Sequence, residues 1–404
     1  MSLTHTLVVI GSRIYQAVFS LGLHVVPFRL PEYIDGPGSS KQLPAFLQKK
    51  NCDDVLIVTD RGLMQLGLLN PVLEALDQAG IRYTCFSDLG PNPTTDNVEA
   101  GYQAYTQNSC KCLVAFGGGS PMDCAKAIGA RVAHPNRSVP QMQGTFRVLK
   151  KIPPLFAIPT TSGTGSETTV SSVITESATH RKAAMNDSFL IPKYAILDPE
   201  LTQGLPPFIT ATTGIDALCH AVESYLNHTY NTKIENDMAK KAIKLIYDNL
   251  LTVYEDGKNL EARQNMQYAA LYAGRSFTRG CVGHVHAIGH ALGGFYGVPH
   301  GLAMSVLLPY VLRKFGAAIH KPLAELADLC GIPGEDDTQK AEAFLAWIDE
   351  ISQTMGIPTK LDMIRDEDIG QIITWARKEA YPLYPVPVIW TREDFRQVIE
   401  AVRK

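Results

Sequence analysis

Between residues 31 and 206 the chain alternates short β-branched apolar runs with longer mixed segments, and beyond Pro206 and Pro207 those runs nearly vanish and helical spacing takes over. VLIV at 55–58, RYTCF from Arg82, CLVAF from Cys112, LFAIP from Leu155 and AIL from Ala195 read as strands. Runs this short and continuously apolar suit a parallel sheet covered on both faces. Segments 67–80 and 95–108 carry helical periodicity after Gly or Pro punctuation, which makes them crossover helices. Helical patterns follow at 211–226, 233–254 and 260–278. Two adjacent prolines continue neither a helix interior nor a central strand, so they mark a boundary. The expected organisation is an N-terminal extension or packed edge element at 1–30, an α/β domain at 31–206 and a helical domain at 207–404. The default ligand site is then a cleft between the two domains, at the carboxyl ends of the strands.

Composition narrows the function classes. At 404 residues and 45% apolar content the chain can bury two sizeable cores. With 37 Lys plus Arg against 40 Asp plus Glu, the formal charge of −3 gives no field that would draw nucleic acid or anionic lipid. Neither is expected as a partner. The eight cysteines form no Cys-x-x-Cys pair and sit mostly in apolar contexts, which reads as reduced thiols in a cytoplasmic compartment. The stretch 15–28 is interrupted by Gln16, Ser20 and His24 and ends near Pro27, so it reads as a packed helix or strand, with no leader or membrane span expected.

Two stretches suggest a phosphate-bearing ligand. Phe116 ends a strand and is followed by Gly117, Gly118, Gly119, Ser120 and Pro121, then by a helical MDCAKAIGA. Glycines let the backbone approach a ligand, and the free N–H groups of the first helical turn point at it, so a diphosphate is the expected guest. The spacing matches neither G-x-G-x-x-G nor a Walker A loop, and a tight turn without a ligand is the plain alternative. The strand LFAIP runs into Thr160, Thr161, Ser162, Gly163, Thr164, Gly165, Ser166, Glu167, Thr168 and Thr169, hydroxyls able to ring a sugar or phosphate or simply to form a solvent loop. Asp60, after VLIVT, can accept from an adenosine ribose and repel a 2′-phosphate, or it can be an ordinary helix cap.

Histidines supply a further pattern. Asp216 and His220 lie at i, i+4 in GIDALCHAVESYL, so a helix stacks them on one face. His284, His286, His290 and His300 fall within seventeen residues. His286 and His290 share a face, His284 points elsewhere, and Gly293, Gly294 and Pro299 permit a return that brings His300 to the same place. One carboxylate and three imidazoles suit Fe²⁺ or Zn²⁺, and the absence of paired thiolates argues against a closed structural zinc.

GGGSPMDCAKAIG, IPTTSGTGSETT, GIDALCHAVESY and GHVHAIGHALGGFYGVPHG together resemble the iron-containing, group III alcohol dehydrogenases, in order and from about Gly36 to the C-terminus. The resemblance implies a Rossmann-like α/β nucleotide-binding domain joined to an all-helical metal-binding domain, the dehydroquinate synthase-like arrangement, with one divalent metal, Fe²⁺ ahead of Zn²⁺. Carried over by position, it implies metal ligands Asp216, His220, His286 and His300, with His290 beside metal and substrate, where it can act catalytically by relaying the alcohol proton or can serve only to orient the substrate. Its nucleotide contacts fall on Asp60, Gly118, Gly119, Ser120, Asp123, Thr160, Thr161, Thr164 and Lys182, with NAD preferred over NADP. Departures are His284 where Tyr is frequent, Gly289 where Ala is frequent, and Arg275 and Arg279 ahead of the ligands. The implied activity is reversible hydride transfer between NAD and a small alcohol or aldehyde in a homodimer or higher homo-oligomer, and Phe277, Phe295 and Tyr296 suggest apolar surroundings for that substrate. Rival readings are a polyol or glycerol dehydrogenase, a dehydroquinate synthase-like lyase, and a metal-stabilised binding protein without turnover.

Overall fold

In the computed structural model the described residues are 3–179 and 182–404. Contacts divide the chain into one unit of Phe28–Gly204 with Lys258–Gln267, and another of Met1–Pro27, Leu205–Gly257 and Tyr268–Lys404. The first segment thus belongs with the helical unit, and a ten-residue piece of the C-terminal half belongs with the α/β unit.

The α/β unit is built on six strands that lie in the order Glu32–Asp35, Tyr194–Leu197, Leu155–Pro159, Cys112–Gly117, Asp54–Val58 and Arg82–Phe86, every neighbouring pair parallel. Alternation along these strands feeds two cores. Leu56, Val58, Leu113, Ala115, Leu155 and Ala157 enter one, while Val55, Ile57, Val114, Phe116, Phe156 and Ile158 enter the other. Burial on both faces is why the runs read as continuously apolar. The edge strand Glu32–Asp35 escaped the apolar pattern because half its residues are acidic and it pairs on one side only. Also unforeseen is a small ribbon in which Lys182–Asn186 pairs with Ser171–Thr175 and Gly144–Thr145.

The second unit is helical. Its longest elements are Leu3–Leu23, Pro207–Leu226, Lys233–Glu255 and Leu260–Gly280, the last begun within the piece that joins the α/β unit. The architecture is therefore the expected Rossmann-like region followed by a mainly helical one. Pro207–Leu226 is buried from Thr210 onward except at Thr213, an apolar cylinder around which the other helices pack.

The stretch around 15–28 falls largely in the helix Leu3–Leu23, in which Ser12, Gln16 and Leu23 are buried whereas Leu7, Ile14 and Val18 are exposed. This helix and the stretch His300–Cys330 are long and apolar enough to cross a membrane by length and composition, the second being mostly buried within the protein.

Candidate functional site

The buried helix Pro207–Leu226 carries three ionisable groups on one face, Asp216, His220 and Glu223, each no more than 5% exposed. Spacings of four and three place them in a row. Leaving such groups unpaired in an apolar core costs several kcal/mol each, so the row needs partners.

Two other helices supply them. His286 sits in the first turn of His284–Tyr296, and His300 is the first residue of His300–Phe315, entered through Pro299. His300 can reach the row because Gly301 lets this helix end touch the Pro207–Leu226 backbone. A Cβ at Gly301 would lie 2.8 Å from the Thr212 carbonyl oxygen. Gly301→Ala is therefore expected to lower the stability of the helical unit by about 1–3 kcal/mol and to weaken metal retention. Thermal unfolding and metal per subunit check this; if neither moved, the contact would not position His300.

Asp216 Oδ1 ends up 3.3 Å from His300 Nε2, 3.8 Å from His286 Nε2 and 4.0 Å from His220 Nδ1. One ligand atom from each of the four residues lies within 4.8 Å of all the others. Asp216 Oδ1, His220 Nδ1 and His286 Nε2 are buried and have no hydrogen-bond partner. Three orphaned electron-pair donors facing one point fit a cation. Burial pushes His220 down to about 3 and His286 well below the ordinary imidazole value, so both are in the neutral, ligating form. Burial works to raise the Asp216 carboxyl, but the surrounding imidazoles of His220, His300 and His286 outweigh it and hold it below the usual range. His300 is the one exposed member, so the cluster opens to solvent on its side.

Residues behind the cluster were not singled out from the sequence. Glu223 Oε2 lies 2.6 Å from His286 Nδ1, and its Oε1 accepts from the Val285 N–H at 2.7 Å. With Nδ1 donating to Glu223, the Nε2 lone pair of His286 is left for a metal. The row Asp216, His220, Glu223 at i, i+4, i+7 was the available signal. His290 Nδ1 lies 2.7 Å from Glu379 Oε1, which also accepts from the Tyr384 hydroxyl at 2.9 Å. The His290 ring stacks on His300 with centroids 5.3 Å apart.

His284 is fully buried, packs on Trp390 at 4.1 Å and meets the Tyr381 hydroxyl at 2.8 Å. It lies outside the cluster of Asp216, His220, His286 and His300. Arg275 binds Glu235, and Arg279 donates to the carbonyls of Tyr230 and Leu23, so both arginines hold the fold together. Of the three aromatics read as substrate surroundings, only Phe277 lies against the cluster, stacked on His220 at 4.2 Å. Phe295 packs on Trp375, and the Tyr296 hydroxyl donates to Asp368. Met304 explains Gly289: its methyl occupies the space a Cβ there would fill.

In the α/β unit, strands Asp54–Val58 and Cys112–Gly117 pair directly, and the next strand in sequence after Asp54–Val58 lies on its other side. The sheet order reverses here, the place where ligands collect in such folds. Asp60 and the glycine turn follow these two strands. Gly117 adopts φ +147, and Cβ atoms at Gly118 and Gly119 would press on Thr161 and Thr164 at 3.3 and 3.0 Å. The helix Gly119–Ala133 starts without a side-chain cap, so its first N–H groups are available to an anion. Buried hydroxyls of Thr59 and Ser162, beside Asp60 and within the Thr/Ser stretch, have no protein partner and so can take a polar ligand.

Several predicted nucleotide residues have structural tasks. Asp60 caps the helix Arg61–Gln65, its Oδ1 accepting from the Leu63 N–H at 2.9 Å. Asp123 accepts from the Ser166 hydroxyl and the Val173 N–H, pinning the Thr/Ser stretch to the helix. The Thr160 N–H donates to the Gly117 carbonyl. The Ser120 hydroxyl accepts from the Asn92 N–H, and Lys182 donates to the Asn92 side chain, its ammonium held below the usual value by burial. Lys126 went unnoticed in the sequence: fully buried, it donates to Ser166, Thr169 and Ser171, and burial lowers it to about 8.

Comparison with known proteins adds the rest. Residues 31–199 match the family model described as iron-containing alcohol dehydrogenase, and residues 210–402 match its C-terminal counterpart. The chain is 36% identical over 369 residues to alcohol dehydrogenase 4 of Schizosaccharomyces pombe, covering 91% of this chain and 86% of that one. It is 40% identical over 330 residues to a 1,3-propanediol dehydrogenase of Klebsiella pneumoniae, covering 80% and 85%. A solved 1,3-propanediol oxidoreductase superposes with a TM-score of 0.89 at 34% identity, covering 94% of this chain and all of that one.

Proposed function

The chain belongs to the iron-containing alcohol dehydrogenase family, and from that premise we propose that its substrates are short, uncharged primary alcohols or diols and their aldehydes. The enzyme carries out NAD-linked, metal-dependent interconversion of an alcohol and its aldehyde or ketone. The cluster of Asp216, His220, His286 and His300, with its orphaned buried donors, is the observation that carries the reading.

In this proposal those four side chains hold the metal, and Glu223 fixes the ring of His286. Bound there, Fe²⁺ or Zn²⁺ supplies the Lewis acidity that acidifies an alcohol or polarises a carbonyl, while NAD takes or gives the hydride. His290, oriented at Nδ1 by Glu379, takes the alcohol proton at Nε2 during oxidation and returns it during reduction. The uncapped turn from Gly118 to Ser120 receives the diphosphate, with Thr160, Thr161, Thr164, Asp123 and Lys182 shaping the nucleotide site around it.

An uncharged substrate is supported by Arg275 and Arg279, the cations just ahead of the ligands in sequence, being buried and bonded to Glu235 and to backbone carbonyls. The 1,3-propanediol dehydrogenase relative acts on a substrate of this class. Anaerobic, Fe²⁺-loaded enzyme should show its highest kcat/KM with short alcohols and diols; a higher value for a phosphorylated polyol would sink the assignment.

Asp60 bears on the choice of NAD over NADP. A carboxylate at this strand end meets a 2′-phosphate as a like charge. Asp60→Ser keeps a capping oxygen for the Leu63 N–H while removing the charge. It should raise the NADP/NAD ratio of kcat/KM by about 10-fold or more, on the order of one to two kcal/mol of lost repulsion. An unchanged ratio in a normally stable variant would reduce Asp60 to a cap. We also place the enzyme in the cytoplasm, in keeping with its eight free cysteines, and propose that it is a homo-oligomer.

A further inference from the structure

The helix Leu3–Leu23 packs through a mixed face, with Leu23 buried and the Phe19 ring 5.5 Å from that of Tyr230. Its polar residues hold it to the protein: Arg13 donates to the Val386 and Pro387 carbonyls, Gln16 to those of Pro382 and Tyr384, and Ser20 to that of Thr229. With that side committed, Leu3, Leu7, Ile10, Ile14, Val18 and Leu21 point outward, each between 52% and 77% exposed. Together with Tyr15 and Val25 they make up half of the large apolar side chains exposed among the described residues. Their spacings of four, three, four, four and three form a single stripe, the repeat with which one helix packs along another.

At these exposures the stripe presents on the order of 800 Å² of apolar surface, about what one partner contributes to a standard stable interface. Monomeric soluble proteins rarely expose more than about 600 Å² in one patch. Charge distinguishes the possible occupants. Residues 1–28 contain one Lys, Arg, Asp or Glu, namely Arg13, and its guanidinium faces inward. A helix lying on a bilayer relies on a cationic polar face, which is missing here. Two copies of the same neutral stripe meet without like-charge repulsion. The helix also lies outside residues 31–199 and 210–402, the parts matched by the family models.

We propose that the N-terminal helices of two copies of this chain pack along these stripes in a twofold contact. The contact is separate from the catalytic reading and holds or fails without it. In a twofold contact the same patch serves on both sides. The stripe from Leu3 to Leu21 is centred between Ile10 and Ile14, so Ile14 meets Ile14 in a parallel pair and lies about one helical turn from it in an antiparallel one.

The full-length enzyme provides the test. Sedimentation velocity of Ile14→Glu should show at least a twofold fall in mass with kcat and KM changed less than about twofold, since the substitution is at an exposed position away from the metal cluster. Ile14→Cys should give a dimer with a short bismaleimide crosslinker under conditions where the parent chain gives none. An unchanged mass in soluble Ile14→Glu, or no crosslink in Ile14→Cys, overturns the contact. So does flotation of the parent enzyme with phosphatidylcholine vesicles that Ile14→Glu abolishes, which would assign the stripe to a bilayer.

Discussion

His286→Ala is expected to empty the metal site and abolish turnover. His286 contributes one of three buried, unpartnered donor atoms, and the imidazole beside it, His220, is stacked at 4.5 Å with its Nδ1 equally unpartnered. Removing a ligand leaves an under-filled shell, and several kcal/mol of Lewis-acid stabilisation go with the metal, so kcat should fall about 1,000-fold or more. His220→Ala and His300→Ala should behave alike. Glu223→Gln is the graded control: losing the carboxylate behind His286 should weaken metal affinity by about 10–100-fold. His284→Ala should keep the metal while lowering stability, because that ring fills a pocket against Trp390 and Phe315. Metal analysis on each purified variant decides. Full occupancy in His286→Ala, or metal loss confined to His284→Ala, would overturn the ligand set.

His290→Ala should retain the metal and the fold yet reduce kcat for alcohol oxidation by about 100-fold near neutral pH, the lower end of what a general acid or base contributes. The deficit should shrink as pH rises, because solvent base increasingly removes the proton without help. Glu379→Gln should give a smaller loss of the same kind, since it disturbs the Nδ1 partner and leaves the ring in place. The pH dependence of kcat and kcat/KM, measured beside metal content, separates the roles. Unchanged kinetics would assign His290 to packing against His300, and metal loss would add it to the coordination shell.

Much of this was legible in the sequence because it follows from periodicity and residue type. Apolar runs buried on both faces announce parallel strands, and Asp216 with His220, or His286 with His290, share a face by helical geometry alone. Three glycines after Phe116 specify a turn that side chains would block. Local rules do not reach partners set by distance along the chain. Glu223 meets His286 across 63 residues and Glu379 meets His290 across 89. Neither acid differs in type from those on the surface. Asp60 shows the same limit from the other side: its place at a strand end was readable, but its hydrogen bond to Leu63 gives it a capping task that residue type left open.

What the sequence determined by itself was therefore the class of fold, the change from α/β to helical architecture near Pro206, and the supply of one carboxylate and several imidazoles at metal-ligand spacing. Only the tertiary structure decided which imidazoles converge, because the approach of His300 depends on Gly301 touching the Thr212 carbonyl, a contact between helices with no period of its own. It also decided which side of the N-terminal helix faces the protein. Hydropathy assigns the apolar stripe to the inside, but the carbonyls of Pro382, Tyr384, Val386 and Pro387 need donors, and Arg13 and Gln16 satisfy them by turning that stripe outward.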